Sequence, residues 1–190
     1  FSNDLGKITY TDGDGTADSL TVNNFQNNGE IVSTTDMNAV NADVKEDGAA
    51  GSDDDNVNVE LQGGVDVTTL GDNGTDLESI SVTSNDINDS ETENTITTVT
   101  NVATINVFGT NDLDVTNVNG NVETVDAGSF EGALGIDLGN AGQTVEFTGG
   151  SGDDTVVASG SGDEINGGAG DDQITAASTN DVITGGDGAD

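Results

Sequence analysis

Apolar residues recur at alternate positions in short bursts along most of this chain. "LESISV" (77–82), "VATINV" (102–107) and "VETVDA" (122–127) share one template: apolar, two polar, apolar, polar, then apolar or small. This alternation, rich in β-branched residues, predicts strands with one buried face. The last two copies start 20 residues apart, and each is followed after a polar turn by a second short run, "LDV" (113–115) and "GIDL" (135–138). A unit of this size has too little apolar surface to fold alone. Its repetition therefore predicts the rungs of a parallel β-solenoid, which bury a core by stacking. Asn101, Asn117, Asn119 and Asn121 fall near the turns, where asparagine tolerates left-handed backbone.

From residue 149 the pattern sharpens into nines: GGSGDDTVV (149–157), ASGSGDEIN (158–166), GGAGDDQIT (167–175), AASTNDVIT (176–184) and GGDGAD (185–190). Asp154, Asp163, Asp172, Asp181 and Asp190 all stand at position six, and Val156, Ile165, Ile174 and Ile183 at position eight. This segment resembles the RTX family, whose repeat is Gly-Gly-x-Gly-x-Asp-x-apolar-x. The resemblance covers 42 of the 190 residues. It implies a parallel β-roll with two nonapeptides per turn, loaded with calcium, exported by a type I system and folded outside the cell. The middle third resembles, less specifically, the Thr/Asn/Val-rich β-solenoid segments of bacterial surface-layer proteins.

The chemistry of the repeat is consistent with that resemblance. Glycine permits positive φ and close backbone approach, so a turn can aim several carbonyl oxygens at one centre. Calcium takes six to eight hard oxygen ligands and accepts carboxylates mixed with carbonyls. With two units per turn, odd units line one edge and even units the other. The odd edge carries Asp154, Asp172 and Asp190 with Gly150, Gly152, Gly168, Gly170, Gly186 and Gly188, whose carbonyls are the expected partners of the carboxylates. On the even edge Ala158-Ser159 and Ala176-Ala177 replace the paired glycines, and Ser161 and Thr179 replace the third. Asp163 and Asp181 are therefore weaker candidates, and calcium is expected along one edge.

Composition narrows the function further. Apolar residues make up 31% of the chain and aromatic residues 3%, which excludes a wide core. Low hydrophobicity with high charge is also the signature of disorder, and the repeats argue against it. A net charge of −35 excludes nucleic acid and anionic membrane as partners. No apolar stretch is long enough to insert in a membrane, and no signal peptide stands at Phe1. Cysteine and histidine are absent, so thiolate sites, imidazole bases and triads are excluded, and the chain reads as no enzyme.

Residues 1–35 read as short strands. Within them "DGDGTAD" places Asp12, Asp14 and Asp18 together, loosely like an Asp-rich calcium loop. Ala17 stands where an EF-hand needs glycine and no Glu closes the loop, so a solvated hairpin turn is the better reading. Residues 36–55, which include Lys45, have mixed periodicity that suits a short helix or an exposed loop; the favoured reading is a loop ending in the solvated run Asp53-Asp54-Asp55. Asn73 and Asn88 head sequon-like triplets of the kind that arise by chance. The expected organisation is an N-terminal β segment (1–56), degenerate solenoid rungs (57–148) and calcium-binding nonapeptides (149–190), all part of a longer chain.

The expected function is structural: a calcium-stabilised, all-β solenoid of a secreted bacterial surface protein, extracellular and in contact with copies of itself. The alternatives are the stalk or binding module of an adhesin, and the C-terminal repeat region of a type I-secreted enzyme or toxin.

Overall fold

A computed structural model describes residues 7–10, 18–25, 29–33, 37–44, 56–71, 77–85 and 92–190. Alternation along the strands is plainest in Asn56–Gln62 and Ser79–Asn85. Val57, Val59, Leu61, Ile80 and Val82 are buried there, and the residues between them are partly exposed. Such strands cannot close a core singly, and the chain stacks them.

Every strand pairing among the described residues is parallel. A nine-stranded sheet runs from Lys7–Tyr10 to Val182–Asp187, and a ten-stranded sheet from Asp18–Phe25 to Gln173–Thr175. Successive long strands alternate between the two sheets, so the backbone coils, and no helix occurs among the described residues. The protein is an all-β parallel solenoid.

Side chains of like character stack in register along each sheet. Val57, Ile80, Ile105, Val125, Phe147 and Ile165 form one apolar column, and Ile183 ends it. Val67, Ile96, Val115, Ile136, Val156 and Ile174 form its counterpart in the other sheet. Both columns belong to a single buried cluster. Val102, Ile105, Val122, Val125, Val156 and Ile165 are buried, as the alternation implies, and Ile174 packs partly buried against them. Ile183 remains 42% exposed because no described rung stacks beyond it. Phe147→Ala should cost about 3–5 kcal/mol by urea denaturation, because it opens a cavity shared with Val125 and Ile165. Ile183→Ala at the open end should cost far less.

The coil tightens along the chain. Ser79 pairs with Thr104 and Thr104 with Thr124, whereas Glu146 pairs with Glu164 and Glu164 with Val182. The nonapeptides thus close a turn every 18 residues, which places odd and even units on opposite edges.

The N-terminal part differs from the sequence expectation in two places. Met37–Val44 is not loop but strand, paired with Asp18–Phe25 on one side and Asp66–Gly71 on the other. The main-chain bonds available between two parallel neighbours outweigh the weak strand preference of its Asn, Ala and Asp residues. Lys7–Tyr10 and Asp18–Phe25 lie in different sheets and do not pair with each other, so they do not form the two arms of a hairpin. Asp12, Asp14, Lys45, Asp53, Asp54, Asp55, Asn73 and Asn88 lie outside the described residues, and Asp18 opens a strand. Parallel pairing also reaches upstream of residue 57, since Gly29–Ser33 sits in register on Val57–Leu61. Of the four turn asparagines, Asn101 takes left-handed backbone (φ 57°); the other three do not.

Candidate metal-binding edge

Chain direction decides what occupies each corner of the coil. Residues 149–154, 167–172 and 185–190 round one edge, and residues 158–163 and 176–181 the other. At the first edge, one core-facing position recurs at each turn as Val65, Asn94, Leu113, Leu134, Asp154, Asp172 and Asp190. The position-six aspartate therefore stands where preceding turns place leucine. Asp154 and Asp172 are accordingly buried, at 1% and 5% exposure.

A buried carboxylate needs donors. Each of these aspartates reaches back one turn for a backbone N–H. Leu134 N–H donates to Asp154 Oδ1 at 2.8 Å, Asp154 N–H to Asp172 Oδ1 at 2.8 Å, and Asp172 N–H to Asp190 Oδ1 at 3.1 Å. Asp153 and Asp171 run the opposite way. They accept from Asp171 N–H at 2.7 Å and Ala189 N–H at 2.9 Å, one turn further on. Each Asp-Asp doublet thus ties its rung to both neighbours.

The second oxygens set Asp172 apart from Asp154, Asp163 and Asp181. On the even edge, Asp163 Oδ2 accepts Ser159 N–H at 2.7 Å, and its Oδ1 accepts Val145 N–H at 2.9 Å and Ser159 Oγ–H at 2.9 Å. Asp181 Oδ2 accepts the N–H groups of Ala177 and Ser178 at 3.1 and 2.9 Å. Those backbone donors hold the Asp181 carboxyl below its ordinary range, led by Asp163 N–H and then Ser178 N–H. On the odd edge, Asp154 Oδ2 accepts Gly150 N–H at 3.0 Å. Asp172 Oδ2 is buried with no hydrogen-bond partner. Burial pushes the Asp154 carboxyl up to about 6, with the neighbouring charges of Asp172 and Asp153 adding to the rise. Asp172 is raised for the same leading reason, with Asp190, Asp153 and Asp171 contributing.

The glycines around these carboxylates permit close stacking. A Cβ on Gly168 would strike the carbonyl oxygen of Gly150, and one on Gly186 that of Gly168; both have positive φ, 109° and 125°. The carbonyls of Gly150, Gly152, Gly168 and Gly170 therefore face the next turn along the stack. The Gly150 carbonyl also accepts Ala169 N–H at 2.9 Å. A Cβ on Gly167 or Gly185 would meet the Oδ2 of Asp172 or Asp190, respectively. These first glycines of each pair, with Asp153 and Asp171, shape the edge although attention to positions two, four and six passes over them. Their signal is the leading glycine of every odd unit and the doublet "DD" of the first two, both missing from the even units.

Among the described residues no three acidic side chains converge as a ready metal cage. A cation here would take one or two carboxylates and draw its remaining ligands from main-chain carbonyls and water. The donor set is entirely hard oxygen and fits calcium. The orphaned, acceptor-only Oδ2 of Asp172 calls for a cation or a proton, since no donor of the protein reaches it. Asn94, in the same column, is an internal comparison. Its Oδ1 accepts Val65 N–H at 2.7 Å, while its Nδ2 donates to Ser84 Oγ at 2.8 Å and to the Leu61 carbonyl at 3.4 Å. Asn94 completes its site with internal partners, whereas Asp172 leaves an oxygen open.

Fold and edge together define a parallel β-solenoid whose last turns replace a leucine column with stacked carboxylates. No protein-family model matches the chain, and neither the curated proteins nor the solved structures contain a match to it.

Proposed function

We propose that residues 149–190 bind calcium along the odd edge, and that the chain serves as a calcium-stabilised structural solenoid of a secreted bacterial surface protein. The observation that carries the calcium reading is the buried, unpartnered Oδ2 of Asp172, set between Asp154 and Asp190 at a point beside Gly167 that the Gly185 carbonyl also approaches. Calcium would be held by Asp172 with Asp154 and Asp190 and by carbonyls from Gly150, Gly152, Gly168, Gly170, Gly186 and Gly188. It would supply charge neutralisation and nothing catalytic. Asp163 and Asp181 are met by donors of their own units and do the same structural work without the ion.

The surface role rests on the repeat's resemblance to RTX segments and on an acidic, narrow, extended architecture suited to a stalk, fibre or lattice. Export by a type I system, an extracellular location and contact between copies belong to the same reading.

Calorimetric calcium titration of wild type, Asp172→Asn and Asp163→Asn tests the one-edge reading. Wild type should take up calcium at millimolar or lower concentration. Asp172→Asn should lose most of that uptake. Asp163→Asn should keep it while losing stability by roughly 1–3 kcal/mol, because a buried acceptor of Ser159 N–H is altered. Equal loss of calcium in both variants would overturn the one-edge assignment.

A further inference from the structure

We infer that Asp154 is a relay that makes rungs contributing no calcium ligand depend on the ion. The inference rests on the calcium reading and concerns how far its effect travels. Leu134 and Asp154 occupy the same core-facing position in successive turns, at the junction where the column changes from apolar to anionic. Asp154 holds Leu134 N–H through Oδ1, and its own N–H is held by Oδ1 of Asp172. The three residues form a chain of buried hydrogen bonds that begins at the carboxylate with the open oxygen and ends in a leucine rung.

Without a cation, Asp172 is a buried carboxylate beside like charges, held through Oδ1 alone. Its hold on Asp154 N–H then weakens, and the Asp154 carboxylate is pushed by the same charges. With the ion bound at Asp172 Oδ2, Oδ1 is fixed, Asp154 is fixed by it, and Leu134 N–H gains a permanent acceptor. The rung from Leu134 to Asp137 is thereby stabilised from a distance. Asp154 acts here as a positioning residue, whatever oxygen it also shares with the ion.

Two substitutions separate relay from ligation. Asp154→Asn and Asp154→Leu both remove a carboxylate oxygen, but only asparagine retains an acceptor for Leu134 N–H, as Asn94 does for Val65 N–H in the same column. Leucine continues the packing of Leu113 and Leu134. Amide hydrogen exchange of the whole chain, with calcium and with chelator, reads the coupling. In wild type, calcium should slow exchange of the Leu134 amide about tenfold, within the usual range for coupled sites. With calcium raised until the Asp172 site is filled in each variant, which offsets the ligand oxygen that both lose, Asp154→Asn should keep most of this dependence and Asp154→Leu should lose it. An unchanged Leu134 amide in wild type that binds calcium would overturn the relay and leave the calcium reading standing. So would a calcium-dependent Leu134 amide in Asp154→Leu. Absence of calcium binding by wild type would instead remove the reading beneath it. If either variant fails to fold, the wild-type exchange measurement still decides.

Discussion

Chelating calcium should unfold residues 149–190 while leaving most of the solenoid before residue 134 in place. Two opposing terms set the size of the effect. The paired glycines of the odd units lose more conformational entropy on ordering than any other residue type, and the stacked aspartates repel at a strand spacing of about 4.8 Å. Calcium bound as proposed would reverse the second term, and because its ligands would come from adjacent turns, no site would exist in the unfolded segment. Binding energy therefore becomes folding energy. At free calcium 100 times the dissociation constant, each site contributes about 2.7 kcal/mol, so two neighbouring sites are comparable to the whole margin, roughly 2–6 kcal/mol, of a 42-residue segment. Earlier rungs are held by the Val, Ile, Leu and Phe columns. Thermal melting followed by circular dichroism should show a transition that moves with calcium beside one that does not. A chelated protein with an unchanged spectrum and a single unmoved transition would refute this expectation.

The calcium-free protein should become less stable as pH rises from 5 to 8, the reverse of the usual acid denaturation. Burial lifts the Asp154 carboxyl from 3.8 to about 6, so the folded state retains its proton where the unfolded chain has lost it. The resulting stabilisation is complete below the unfolded value and vanishes as pH passes about 6. Between pH 5 and pH 8 it amounts to about 1.4 kcal/mol from this residue, with Asp172 adding in the same direction. Asp181, whose carboxyl is lowered, works the opposite way, and its exposure keeps that contribution small. With calcium present the sign should reverse, because protons then compete with the ion for the same oxygens. Urea denaturation at pH 5, 6, 7 and 8, in chelator and in calcium, checks both signs. Stability that rises with pH in chelator would contradict the buried carboxyl column.

The apolar columns were legible in the sequence because a period of two fixes the face of each residue, so Ile105, Val125, Val156 and Ile165 needed no structure to place them. The two-edged arrangement of the nonapeptides was equally legible, given two units per turn. The backward hydrogen bonds of Asp154, Asp163 and Asp172 were not, since spacing alone does not say whether a recurring aspartate faces water, an ion or the preceding turn's backbone. The structure gives all three a backbone partner and so makes Asp163 a tie in its own right. Nor could the pattern reveal that Leu113, Leu134 and Asp154 share one column, because the turns before residue 149 differ in length and hide the register. Met37–Val44 was missed for a related reason. A strand flanked by partners on both sides is set by its neighbours more than by its own residues.

Because every sheet bond in this solenoid joins one turn to the next, the main-chain bonds lie along the axis of the stack. A load applied end to end is therefore carried by one rung at a time, and the molecule peels instead of shearing. Each nonapeptide pair released adds 18 residues of chain, roughly 60 Å of extension, at nearly equal force from rung to rung. A surface fibre built this way would lengthen in even steps and would rewind as the load falls. Calcium on the nonapeptide turns would raise the force at which those steps are taken.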